Sequence, residues 1–129
     1  MRHKLTIVLS DTIYPWQIAA RVNDVWAQVQ GQDITCEFNF MPENIIRIDF
    51  EGKDAVQYPD MTVRLTRMFL DYVEITPLLY QGVYTTDHPD YPEIQPCTDI
   101  NLNGRWSLTF NSASFTKILS QYLGISNEF

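Results

Sequence analysis

Between residues 34 and 51 the chain alternates with a period of two. Ile34, Cys36, Phe38 and Phe40 fall on one side of "ITCEFNF" and Thr35, Glu37 and Asn39 on the other; "IIRIDFE" repeats the pattern, with Ile46, Ile48 and Phe50 set against Arg47, Asp49 and Glu51. That period belongs to strands with one dry and one wet face. Met41-Pro42-Glu43-Asn44 is short enough to join antiparallel neighbours, so a hairpin is expected, its wet side carrying Glu37, Arg47 and Asp49 as a surface ion-pair patch. Cys36 then sits on the dry face as a small, inert hydrophobe.

Further alternation sets Leu5, Ile7 and Leu9 on one side of a short strand. In "DINLNGRWSLTFN", Asn103-Gly104 is flanked by Ile100 and Leu102 before it and Trp106, Leu108 and Phe110 after it. Two residues that tolerate positive φ between alternating runs predict a tight hairpin. "PDMTVRLTRMFLDYVEI" reads two ways, because Leu65, Met68, Phe69, Tyr72 and Val73 keep helical spacing while Val63 and Leu65 alternate and β-branched Thr62, Val63 and Thr66 favour strand. The strand pair is preferred over 61–75.

Helical spacing points to two helices. In "PWQIAARVNDVWAQVQG", Ile18, Val22, Val25, Trp26 and Val29 form a stripe, Pro15 suits the first turn and Gly31 the position after the last. In "SFTKILSQYLGI", Phe115, Ile118, Leu119 and Tyr122 do the same, with Ser112 or Ser114 as cap and Gly124 as terminator. The expectation is an α+β fold: an antiparallel sheet of about five to six strands with two helices packed on one face, one domain over 1–129.

Residues 76–99 stand apart. They hold four of the seven prolines and three of the seven tyrosines. Proline fixes φ and removes a ladder donor, so this stretch is expected to be an extended arm or long loop, either covering its own sheet edge or reaching for a partner. Charge marks it too. From Met68 to Gly104 there is no Lys or Arg, while Asp71, Glu74, Asp87, Asp90, Glu93 and Asp99 supply six acids of a chain whose net charge is −7.

Chemistry is harder to find. Asp87, His88, Asp90 and Cys97 lack the spacing of a zinc or calcium loop, so no metal site is expected. The two histidines and the serines form no nucleophile pattern, and the five glycines no phosphate loop; no catalytic residue, no cofactor and no enzymatic activity are expected. Local acidity without a cationic cluster argues against direct nucleic-acid binding. The apolar run after Met1-Arg2-His3-Lys4 is too short for a secretory or membrane segment, so a cytoplasmic protein, or one in a virion assembled there, is expected, with Cys36 and Cys97 reduced.

Tyrosine-rich, acidic and stiff, the arm suits protein contact. The reading is a non-enzymatic protein-binding subunit of a homo-oligomer or multi-protein assembly, for instance a viral or phage neck or tail component. Tyr80, Tyr84, Asp87, Asp90, Tyr91 and Glu93 would dock on a neighbour's basic residues, with Arg2, Lys4, Arg64 and Arg67 as candidates. An acidic inhibitor, such as an immunity or anti-defence protein blocking a basic partner, is the alternative. A third reading is a small enzyme or ligand-binding domain with a pocket lined by Trp16, Trp26, Trp106 or Tyr122.

Overall fold

A computed structural model describes residues 2–10, 16–52, 62–86, 88–111 and 113. Among them the protein is nearly all β, two six-stranded antiparallel sheets around one core. The α+β expectation is therefore corrected.

Sheet A runs β11 (Asp99–Ile100), β7 (Val63–Leu70), β1 (Arg2–Leu9), β5 (Asp33–Asn39), β4 (Gln28–Gln30), with β8 (Val73–Glu74) hairpinned onto β7. Sheet B runs β10 (Glu93–Ile94), β9 (Val83–Thr86), β12 (Gly104–Phe110), β6 (Asn44–Glu51), β2 (Gln17–Val22), β3 (Val25–Trp26). All four sheet edges are strands of two or three residues. A 3₁₀ turn, Thr76–Gln81, packs Leu78 and Leu79 into the core. Among the described residues no helix is long and apolar enough to cross a membrane.

The helix expected over 15–31 is instead β2, β3 and β4. Ala20 and Val22 are buried with Trp16 ahead of them, a period of two, and Asn23 at φ 55° turns β2 back onto β3. Gly31, at φ 60°, serves the turn from β4 to β5 and not a helix end. The helix expected over 112–124 lies outside the described residues, as does Tyr122.

The two alternating strands of 34–50 form, with the inward residues expected, yet they are not partners. β5 pairs with β1 and β4, β6 with β12 and β2, so residues 40–43 cross from one sheet to the other. Asn44, fully buried, secures the crossing. Its side chain accepts from the Met41 N–H at 2.9 Å and donates to the Met41 and Phe110 carbonyls. The expected patch is dispersed: Glu37 meets Arg2, and Asp49 meets Arg105.

Asn103-Gly104 makes no hairpin either, since β11 belongs to sheet A and β12 to sheet B. Glycine is required at 104 because a Cβ there would run into the Thr85 carbonyl of neighbouring β9. Residues 61–75 do give a strand pair. A bulge sets Leu9 opposite Leu65 but Val8 opposite Arg67, leaving Thr66 as the extra residue. Leu65 and Met68 both face inward across it, which explains their helix-like spacing.

The segment 76–99 is not an extended arm. It contributes the 3₁₀ turn, β9 and β10 to its own domain, and Ile94, Cys97 and Tyr84 pack against or within the core. Its apolar side chains bury more surface against the adjacent sheets than an isolated ribbon could.

Candidate functional site

The inward positions of both sheets are filled. Trp16 and Trp106 are core residues, Trp106 fully buried with its indole N–H donating to the Cys97 carbonyl at 2.9 Å. Trp16 and Trp106, which the third reading placed around a pocket, pack in the core instead. Surface aromatics are the exception to this economy. Trp26 is 66% exposed and Tyr72 85% exposed.

Tyr72 belongs to the turn that ends β7 of sheet A, and Trp26, on β3 of sheet B, borders the outer face of sheet A where the two sheets meet. Outward residues there follow from register: Lys4 opposes Glu37, Thr6 opposes both Thr35 and Phe69, and Gln28 opposes Thr35. Two depressions share Lys4. One of about 360 Å³ is lined by Lys4, Val25, Trp26, Gln28, Thr35, Cys36 and Glu37. The other, about 280 Å³, is lined by Lys4, Thr6, Phe69 and Tyr72. Together they make a shallow groove across β4, β5, β1 and β7, three strand spacings or about 14 Å.

Local structure holds the rims. Trp26 sits one pair back from the tip of the β2–β3 hairpin, opposite Arg21, whose guanidinium carbon is 5.6 Å from the ring centroid. Because β4 begins at Gln28 and reaches only to Asp33–Thr35 of β5, the flank of β5 at Cys36 stays open and becomes part of the first depression. Burial pushes the Cys36 thiol up, so it is an unreactive wall.

Tyr72 is displayed by the β7–β8 turn, where Asp71 at φ 50° and Tyr72 at φ 70° both occupy left-handed backbone. Asp71 anchors this turn, accepting from the Lys4 N–H at 2.9 Å and lying 2.5 Å from His3 Nδ1. Partial burial acts to raise the Asp71 carboxyl, but the His3 contact and the Lys4 N–H outweigh it and hold the group below its ordinary value. The Lys4 ammonium stands 5.5 Å from the Tyr72 ring centroid. Thus an aromatic side chain at each end flanks an ammonium, an amide, two hydroxyls and a carboxylate.

The residues chosen from sequence are not brought together. Arg2 pairs loosely with Glu37 at 3.7 Å; Arg64 pairs with Asp99 at 2.7 Å and Arg67 with Glu74 at 2.9 Å. Three of the six acids of the cation-free stretch, Asp71, Glu74 and Asp99, therefore have partners in the same chain. Tyr84 is corrected from contact residue to core: it is 1% exposed and its hydroxyl donates to the Leu102 carbonyl, with burial pushing its pKa up. Asp87 lies outside the described residues. Tyr80, Tyr91, Asp90 and Glu93 are exposed, and Tyr91 packs beside His88 at 5.3 Å. Of the ten, only Lys4 lies in the groove.

Tyr72, Phe69, Gln28, Thr35 and Thr6 are not singled out in the sequence as site residues, and Trp26 is named there only as lining an interior pocket. Their signal was the polar alternate positions 28, 35 and 37 beside an aromatic next to a turn. Among the described residues no cluster of three or more His, Cys, Asp or Glu could hold a metal ion.

No protein-family model matches the chain, and no curated protein matches it. Among solved structures the fold is similar to that of vCBM60 in its SeMet form, described with circular permutation as an evolutionary link between two families of calcium-dependent carbohydrate binding modules. That likeness has 15% identity and a TM-score of 0.54, over 82% of this chain and 89% of that one. A second structure, vCBM60 in complex with galactobiose, matches at 14% identity and a TM-score of 0.54, over 84% of this chain and 97% of that one. At this identity the likeness is one of fold.

Proposed function

We propose that this chain is a non-catalytic binding module that holds an extended, hydroxyl-rich chain, an oligosaccharide, in the groove between Trp26 and Tyr72. The observation that carries this reading is the pairing of two solvent-facing aromatic rims with a polar floor on one sheet face. A sugar ring has an apolar C–H face that suits an aromatic ring and a rim of hydroxyls that both donate and accept. Lys4 and Gln28 offer donors, Glu37 acceptors, and Thr6 and Thr35 both. Exposed aromatics of this kind bring large contact area with little side-chain entropy to lose. The groove is too open and too shallow to enclose a small molecule, which favours a chain lying across it.

The galactobiose complex of the similarly folded vCBM60 supports sugar as the ligand class. The calcium dependence named for that module's relatives is not carried over, because the described residues offer no cation cluster. Binding in the groove should be unaffected by a chelator.

Affinity electrophoresis and calorimetry against galactobiose, longer galactans and a panel of soluble neutral and acidic polysaccharides test the reading. At least one should bind, and Trp26→Ala should weaken it about thirtyfold, about 2 kcal/mol. Absence of binding across the panel, or an unchanged Trp26→Ala variant, would overturn it.

A second reading, a protein-binding module that docks through the edge carrying Tyr80, Tyr91, Asp90 and Glu93, is favoured by the exposure of those residues. Native mass measurement of the protein recovered from its source separates the two. A bound polypeptide released by Asp90→Asn with Glu93→Gln would displace the groove reading.

A further inference from the structure

We infer that Arg21 and Arg47, side by side on the outer face of sheet B, form a binding site for a tetrahedral oxyanion, a sulfate or phosphate ester. This site adjoins the groove through Trp26, but neither arginine lines the groove and the inference does not depend on what the groove holds.

β2 and β6 are antiparallel with Arg21 directly opposite Arg47. Their neighbours Ala20, Val22, Ile46 and Ile48 are buried, so both arginines point outward from the same face. Partners in this relation have Cβ atoms about 5 Å apart, and like charges so placed are destabilising. Four other arginines are neutralised locally: Arg2 by Glu37, Arg64 by Asp99, Arg67 by Glu74 and Arg105 by Asp49. Among the described residues neither Arg21 nor Arg47 makes an ion pair. The acid nearest along β6 on that face, Asp49, spends both oxygens on Arg105, at 2.6 and 3.4 Å, and Asp24 in the adjoining turn pairs with neither. Two facing cations with no counter-charge are relieved by an anion that reaches both.

The donors are arranged in advance. Arg21 is held beside Trp26, its guanidinium carbon 5.6 Å from the ring centroid and within cation–π range. Arg47 is half-buried, which restricts its side chain, and Ser107 opposes it on β12 with a hydroxyl. A single carboxylate fills one guanidinium fork; two adjacent forks and a hydroxyl match an anion with three or more oxygens and two negative charges.

The test uses the full chain with sodium sulfate and inorganic phosphate, compared with sodium chloride at equal ionic strength. Sulfate and phosphate should raise the melting temperature beyond chloride, with a dissociation constant on the order of 1 mM, and should shift the Nε–H resonances of Arg21 and Arg47 but not that of Arg105. Arg47→Gln, which leaves the Trp26 contact in place, should weaken sulfate binding about tenfold or more without lowering the salt-free melting temperature. Galactose 6-sulfate and galactose 6-phosphate then distinguish the two esters, the tighter one naming the source. A response equal to that of chloride, shifts spread over all arginines, or undiminished binding by Arg47→Gln would overturn the site; should the variant not fold, the resonances of the unaltered protein still decide it.

Discussion

The two outer faces of this sandwich rest on interchangeable interiors and carry different chemistry. Behind each lies the same alternation of Ile, Val, Leu and Phe. In front, sheet A presents ring faces, hydroxyls and amides around Lys4, whereas sheet B presents a row of guanidinium groups, two of them facing each other without a carboxylate. The difference teaches that inward positions decide the fold here and outward positions decide what each face can hold.

The largest effect should come from the shared interior. Trp106→Ala removes a fully buried indole and its hydrogen bond to Cys97, and should lower stability by about 3–5 kcal/mol in chemical denaturation. Both faces should fail together; a variant that lost only one activity would show that the faces do not depend on a common core. Next comes a rim of one face. Tyr72→Ala should weaken polysaccharide binding about fivefold, about 1 kcal/mol, by calorimetry, with sulfate binding at Arg21 and Arg47 unchanged. Equal loss at both faces would break the distinction.

The smallest effect is one of acidity. Asp71 is held below its ordinary value, so the stability it contributes is complete above the unfolded carboxylate value, about pH 4, and is lost as pH falls through the lower folded value. Because the pair is partly exposed, under about 1 kcal/mol is at stake. Melting temperatures of the unaltered protein and Asp71→Asn should therefore converge in acid. Groove affinity should decline over the same range, while sulfate binding by the two arginines, which do not titrate there, should not.

How much of this was legible depended on which physical signal each stretch carried. Strands β1, β5 and β6 and their dry faces were readable because alternation leaves no competing period. Their pairing was not: hairpin logic joins neighbours in sequence, but residues 40–43 cross between sheets, and nothing short of Asn44's buried hydrogen bonds marks the crossing. The 15–31 helix failed because Ile18, Val22, Val25 and Val29 satisfy a helical stripe while the β-branched residues and Asn23-Asp24 already favoured strand and turn. Asn103-Gly104 misled for a different reason, since glycine there answers to the Thr85 carbonyl and not to a turn. At the site, Lys4 stands out in the sequence as a charge and Trp26 only as a wall of an interior pocket, while Tyr72 carries no signal beyond its helical spacing. Exposure of an aromatic depends on where a hairpin ends, and that is settled by tertiary pairing.

The brevity of the four outermost strands has one more effect. A module that gathers at high density along a polymer presses many copies flank to flank, the condition under which unpaired backbone seeds fibres. Among the described residues each outermost strand offers only two or three residues of ladder, so one copy gives another little template to extend along that strand. Crowding on a surface should therefore leave these molecules separate and dissociable.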